Sequence, residues 1–219
     1  ELWKKFFYVS VWVILKAVTK IYLFRRCSGV EHVDSLKGPA ILAANHMSFL
    51  DPPLVAVSMR RPLHFLAKRE LAEIPIFGRA IRWLSLIAVR RGILDHEALD
   101  QVRAALAAGE LVLIFPEGTR SRDGQIHEAK AGFGKLVYES NVPVVPVRIV
   151  GSRRSFAPGA RFPIPTPVSI IFGEPFRPPG NTPCAREGSA NLADSGLRDT
   201  YERIGREVMD RIRAMGNGG

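Results

Sequence analysis

Two short apolar runs constrain this chain more than anything else in it: 39–44 (Pro-Ala-Ile-Leu-Ala-Ala) and 111–115 (Leu-Val-Leu-Ile-Phe). Each has strand length and no polar residue. A strand that is apolar on both faces must be covered on both, so these runs read as interior strands of a sheet between helices. Further strand-like runs lie at 63–67, 142–150 and 168–172. Helical spacing appears at 95–108 (Leu99, Val102, Leu106, stopping at Gly109), at 131–139, and in Leu197, Tyr201, Ile204, Val208 and Ile212. The predicted class is α/β: a mixed, largely central β-sheet flanked by helices, with an N-terminal membrane-associated helix. Residues 30–38 read as a short strand and turn. The two prolines in 142–150 predict an edge or bulged strand there. The 219 residues suffice for one domain around one core.

Both central runs empty into loops that carry chemistry. After the first comes Asn45-His46-Met47-Ser48-Phe49-Leu50-Asp51-Pro52-Pro53. Asp51-Pro52 reads as a helix start, with Asp51 as N-cap and Pro52 at the first helical position. His46 then sits in the turn between strand and helix, the edge of an α/β sheet where ligands bind. Five residues separate His46 from Asp51, so on a continuous helix they would not meet. In a strand–turn–helix they can, because the turn folds the imidazole back over the helix start. A carboxylate on one ring nitrogen fixes the tautomer and leaves the other nitrogen free to accept a proton. A plain cap and a turn-filling histidine fit these residues equally well. After the second run comes Pro116-Glu117-Gly118-Thr119-Arg120-Ser121-Arg122. A glycine backbone there permits close approach of a ligand, and arginine can fork a phosphate. An ordinary surface turn with solvated arginines is the competing reading.

Charge and hydropathy select the partner. Net charge is +10 and apolar residues make up 47% of the chain, with mean hydropathy +0.05. Such a chain favours nucleic acid or an anionic membrane surface. The aromatics crowd the N-terminus beside aliphatics and do not alternate with basic residues as a base-stacking platform would, so no nucleic-acid partner is expected. Residues 2–24 are nearly all apolar, with Lys4 and Lys5 just before the run that begins at Phe6, Lys16 and Lys20 interrupting it, and Arg25 and Arg26 closing it. The uninterrupted stretch 6–15 is too short to span a bilayer. A helix lying in the interface, lysines up and aromatics down, avoids burying Lys16. No small-x-small site follows the run, which argues against a signal peptide. The segment 74–89 is a second candidate membrane element. Cys27 and Cys184 stand far apart with no CxxC and no histidine cluster, so neither a disulfide framework nor a metal site is expected, which fits the cytoplasmic face of a membrane. The expected organisation is an amphipathic helix over 1–29, the main domain over 30–175, and a connector with a final amphipathic helix over 176–219.

Four segments, in order and spacing, resemble the glycerolipid acyltransferase family typified by 1-acylglycerol-3-phosphate acyltransferase. They are Asn45-His46 with Asp51, then Leu86-Ile87-Ala88-Val89-Arg90-Arg91, then Phe115-Pro116-Glu117-Gly118-Thr119-Arg120-Ser121, then Val142-Pro143-Val144-Val145-Pro146-Val147. The resemblance covers residues 38–150. The family usually has a glycine early in the second block, where this chain reads Trp83-Leu84-Ser85-Leu86, a departure that bears on the acceptor rather than the chemistry. The resemblance implies direct acyl transfer from a thioester, acyl-CoA or acyl-carrier protein, to the free hydroxyl of a lysophospholipid, foremost 1-acylglycerol 3-phosphate. His46 would be the general base and Asp51 its orienting partner. Glu117, Gly118, Thr119 and Arg120 would hold the acceptor, with Arg90 and Arg91 as further candidates for its phosphate. No bound cofactor is implied. Glycerol 3-phosphate, dihydroxyacetone phosphate and lyso-aminolipids are alternative acceptors, and a non-catalytic lipid-binding protein is the alternative outside enzymology. The chain has no G-x-S-x-G elbow and no cysteine near His46, so a covalent acyl-enzyme is not expected.

Overall fold

A computed structural model describes residues 13, 17, 19–68, 86–89, 96–160, 162–179 and 194–216. Its strands among these residues are β1 (Arg26–Ser28), β2 (Ala40–Ala44), β3 (Leu63–Lys68), β4 (Leu86–Val89), β5 (Leu111–Ile114), β6 (Val144–Val150) and β7 (Ser169–Phe172). They form one sheet in the order β1-β7-β6-β2-β5-β3-β4. Neighbours are parallel throughout except at β6–β7, so the sheet is mixed. The helices are α1 (Glu31–Asp34), α2 (Asp51–Ala56), α3 (His96–Ala107), α4 (Ala131–Ser140), α5 (Ser152–Ser155) and α6 (Asp194–Ala214).

The apolar runs are continuous because both faces of the sheet are covered. Ala40, Leu42 and Ala44 of β2, with Leu111 and Leu113 of β5, join a core under α1 and α2 that includes Val33, Leu54 and Val55. Ile41 and Ala43, with Val112 and Ile114, join the opposite core beneath α3, α4 and α6, built with Val102, Phe133, Ile204, Val208 and Ile212. Alternate side chains of one strand thus serve different layers.

Two expectations are corrected. Residues 30–38 contain the helical turn α1, not a strand. Pairing stops at Ser28, and Gly29 then takes φ +72° where a Cβ would lie 2.0 Å from the Phe172 carbonyl oxygen. The turn points Val33 fully inward, with Val30 beside it on the same core. The strand in the two-proline run is not at an edge: β6, which holds Pro146 while Pro143 precedes it, lies between β2 and β7. The Pro146 carbonyl accepts from Gly173 N at 2.8 Å, so its nitrogen also faces β7, just past Phe172 where that ladder ends. The missing N–H falls where β7 no longer needs it.

Val13, Ala17 and residues 19–22 are helical; the remainder of the expected N-terminal helix, and 74–85 of the second apolar segment, lie outside the described residues. No helix among the described residues is long and apolar enough to cross a membrane. Leu23 closes the helical stretch, is buried, and accepts from Val168 N at 3.1 Å.

Candidate active site

β2 and β5 are adjacent and parallel, in register from Ala40 opposite Leu111 to Ala43 opposite Ile114. The loops that follow them therefore leave the same edge side by side, which brings His46 and Glu117 together across 71 residues of sequence.

His46 is held on three sides. Its Nδ1 donates to Asp51 Oδ2 at 3.0 Å, its ring stacks on Phe115 with centroids 3.8 Å apart, and its backbone N–H donates to Glu117 Oε1 at 2.9 Å. Its carbonyl accepts from Ser121 N at 2.8 Å, which ties the two loops together a second time. The imidazole remains partly open to solvent.

Asp51 is fully buried, and its carboxylate points back along the chain. Oδ2 accepts from Met47 N at 2.6 Å and Ser48 N at 2.7 Å as well as from His46. The expected N-cap role is thereby corrected: Asp51 is the first helical residue, Leu50 occupies the cap position, and no side chain caps α2. The carboxylate closes the loop before the helix instead. Two amide donors fix Oδ2 as an acceptor, which makes Nδ1 of His46 the protonated nitrogen and leaves Nε2 with its lone pair.

Glu117 is buried and both its oxygens are taken, Oε1 by His46 N and Oε2 by His127 N at 3.1 Å. It is placed as a clamp between loops rather than as a group facing an acceptor. Gly118 has φ +68°, which favours glycine, and it and Thr119 are exposed on the loop. The Arg120 guanidinium lies over the Phe49 ring, 3.4 Å from its centroid, and Phe49 in turn meets Phe156 at 5.7 Å. Nη1 of Arg120 is buried without a hydrogen-bond partner. Burial pulls the Arg120 pKa down, the charge of Asp51 opposes this, and Arg122 adds to it. Arg120 thus stands within electrostatic reach of the His46–Asp51 pair. Arg90 and Arg91 lie outside the described residues. Among the described residues no group of three or more His, Cys, Asp or Glu side chains is placed to hold a metal ion.

Several supporting residues escaped the sequence reading. Asn45 is fully buried and bridges to β6, its Nδ2 donating to Ile149 O at 2.9 Å and its Oδ1 accepting from Ile149 N at 2.7 Å. Ser48 Oγ donates to Phe156 O at 2.8 Å and accepts from Leu50 N at 3.1 Å, so it builds the loop and forms no dyad with His46. Asp123 accepts from Gln125 N and from Ser121 Oγ, both at 2.9 Å, and these bonds, with the help of His127, hold its pKa down to about 2. Arg148 of β6 lies close enough to Glu117 to feel its charge, with Nε and Nη1 buried and unpartnered, and burial lowers its pKa. One signal for Arg148 was present: it is the lone charge in an otherwise apolar strand.

Comparison with known proteins identifies the family. A family model described as Acyltransferase matches residues 24–150. A chloroplastic 1-acyl-sn-glycerol-3-phosphate acyltransferase of Arabidopsis thaliana is 31% identical over 67% of this chain and 42% of its own length. A probable 1-acyl-sn-glycerol-3-phosphate acyltransferase of Mycoplasma genitalium is 28% identical over 88% of this chain and 74% of its own. The chain therefore spans less than half the length of the plant relative, and likewise 43% of a counterpart from Brassica napus. Among solved structures, the 1-acyl-sn-glycerophosphate acyltransferase PlsC of Thermotoga maritima superimposes with a TM-score of 0.71 at 26% identity, covering 96% of this chain and 81% of that one. With a family match running from just before β1 to the end of β6, the chain belongs to the acyltransferase family.

Proposed function

We propose that the protein is an O-acyltransferase that moves a fatty acyl group from a thioester, acyl-CoA or acyl-carrier protein, to the free hydroxyl of a lysophospholipid bearing a phosphate, foremost 1-acylglycerol 3-phosphate. The observation that carries this reading is the His46–Asp51 pair: a partly open imidazole whose Nδ1 is tied to a fully buried carboxylate, itself fixed by two backbone amides. Nε2 takes the proton of the acceptor hydroxyl as the oxygen attacks the thioester carbonyl. The imidazolium that forms is stabilised by Asp51. Collapse of the tetrahedral adduct breaks the carbon–sulfur bond, and the departing thiolate recovers the proton from His46. No covalent enzyme intermediate and no bound cofactor takes part. Arg120, rigid on Phe49 with a buried donor unpaired, supports a phosphate-bearing acceptor, because an unpaired buried donor costs about 1–3 kcal/mol until a partner arrives. Gly118 and Thr119 flank it as exposed backbone and hydroxyl contacts. The site works at the cytoplasmic face of a membrane, where such an acceptor resides.

The test is purified protein with labelled acyl thioester and a panel of acceptors: 1-acylglycerol 3-phosphate, glycerol 3-phosphate, dihydroxyacetone phosphate and a lyso-aminolipid. His46→Ala should lower kcat at least about a hundredfold, the low end for losing a general base, while the fold is kept. Asp51→Asn is nearly isosteric, since the amide oxygen can occupy the position of Oδ2 and keep its three donors. It should lower turnover through loss of charge alone. Full turnover in Asp51→Asn would reduce Asp51 to a loop-closing residue.

A further inference from the structure

The loop between α5 and β7 presents large apolar side chains to water that the catalytic reading does not use. Phe162 is 77% exposed and Ile164 is 56% exposed. Next to them stand Ile21 at 75% and Phe24 at 59%. The two stretches are joined. Tyr22 Oη donates to Pro163 O at 3.0 Å, Val168 N donates to Leu23 O at 3.1 Å, and Arg26 N donates to Val168 O at 2.9 Å. The loop is also braced from within, Ile164 N donating to Ser155 O at 2.8 Å and Ser155 Oγ to Ile164 O at 2.9 Å, so its apolar side chains are presented on a fixed backbone. Soluble surfaces rarely gather such residues without a partner.

Charge says which partner. Residues 2–30 and 149–173 hold nine of the chain's Lys and Arg residues and not one Asp or Glu. Arg154 is exposed on α5, at the base of the loop. Apolar tips carried by segments whose only charges are positive match an anionic bilayer, which takes side chains below its headgroups and arginines among them. They do not match an apolar protein surface, on which that charge would be buried unpaired.

Resting on the acyltransferase reading above, we propose that the 156–167 loop is a membrane-docking element, inserting Phe162 and Ile164 alongside Ile21 and Phe24 into an anionic lipid surface. This docking also orients the site. Phe156, at the start of the loop, accepts from Ser48 Oγ and packs near Phe49, the ring beneath Arg120. The docked edge and the loop bearing His46 are therefore one connected piece, and an acceptor rising from the bilayer meets Arg120 and His46 close by.

The experiment places an environment-sensitive nitrobenzoxadiazole probe at Phe162→Cys, with Cys27→Ser and Cys184→Ser removing the native thiols. Vesicles are phosphatidylcholine with and without phosphatidylglycerol. With the anionic lipid, emission at 162 should shift to the blue and be quenched by nitroxide-labelled lipid. The double variant Phe162→Glu, Ile164→Glu should bind these vesicles at least about tenfold more weakly, since each insertion lost removes burial of a large apolar side chain. Its melting temperature and its turnover of a short-chain water-soluble acceptor should not change. Vesicle-bound protein with a probe that stays in water, or a double variant that binds as tightly as the unaltered chain, would overturn the proposal. Absence of acyl transfer by the unaltered chain would overturn the catalytic reading instead, and the probe and binding readouts would decide the docking surface by themselves.

Discussion

At the scale of single residues, two pairings define this site: a histidine with a fixed carboxylate, and an arginine with an aromatic platform. Arg120→Ala should raise KM for the phosphate-bearing acceptor about 10- to 150-fold, the equivalent of the 1.5–3 kcal/mol of a hydrogen bond to a charged group, and should leave KM for the thioester nearly unchanged. Arg120→Lys should recover only part, because an ammonium neither stacks flat on Phe49 nor forks a phosphate. Equal effects on both substrates would place Arg120 on the donor or in the scaffold. Glu117 makes a different prediction. Its two oxygens each serve one backbone N–H, so Glu117→Gln turns an amide NH₂ toward a donor and leaves that donor unpaired. The cost is about 1–3 kcal/mol, which in a domain of this size lowers Tm by several degrees, read directly by calorimetry. His46, Asp51 and Arg120 were legible in the sequence because each has a side chain whose chemistry shows in its letter. The role of Glu117 was not, because its partners are main-chain groups 10 and 71 residues away. Asn45 was seen as part of a motif but not as a brace, since its partner Ile149 is bonded through backbone atoms alone.

At the scale of elements, the strands with two buried faces announced themselves, and so did the amphipathic helices. β2, β5, α3 and α4 lie within a residue or two of their expected bounds. What failed was the short and the exposed. β1 is a three-residue strand with every side chain exposed, so no apolar pattern marks it, and it exists because the backbone of β7 offers an edge. α1 is a single turn set by Gly29, and the interior place of β6 depends on where β7 ends; neither is visible from local spacing. Helix–helix contact was equally hidden. Gly134 of α4 lies against α6 so closely that a Cβ would come within 2.0 Å of Tyr201 O, whereas Gly132 two residues earlier meets nothing within 4 Å. Gly134→Ala should therefore push α4 from α6 and destabilise the fold by about 1–3 kcal/mol, as overpacking does. Gly132→Ala, in the same helix, should be neutral or stabilising by up to about 1 kcal/mol through helix propensity. Thermal melts should show a lowered Tm for Gly134→Ala and no lowering for Gly132→Ala; a Tm raised in both would mean that helix propensity alone governs the two positions.

At the scale of the whole molecule, the proposed function brings the sheet edge with His46 and Arg120 to a bilayer, and the N-terminal segment bears on that through two separable contributions. Residues 23–28 belong to the fold: Leu23 is in the core and bonds Val168, and Arg26, Cys27 and Ser28 pair with β7. Removing residues 1–26 would strip Leu23 from the core, at about 1.5–3 kcal/mol, and take the first residue of β1 with it, so Tm should fall by several degrees. Removing only residues 1–18 keeps these contacts and should leave Tm unchanged. It also removes Lys4, Lys5 and Lys16 together with the densest aromatic stretch of the sequence. Each basic residue near anionic lipid is worth about 1 kcal/mol, so three of them amount to about a hundredfold in vesicle affinity at low salt before any apolar insertion is counted. Raising the ionic strength should shrink the electrostatic part of that difference, because the Debye length falls to about 3 Å at 1 M salt. The shorter truncation should therefore sediment poorly with anionic vesicles and lose activity on vesicle-borne acceptor, while turning over a short-chain soluble acceptor at the rate of the full chain. The binding it retains would belong to the loop that carries Phe162 and Ile164 together with Ile21 and Phe24, and should weaken at least about tenfold further when Phe162 and Ile164 become Glu. Unchanged sedimentation of the 1–18 truncation at low and at high salt would mean that this segment contributes nothing to anchoring and that docking rests on the loop and on 19–24 alone.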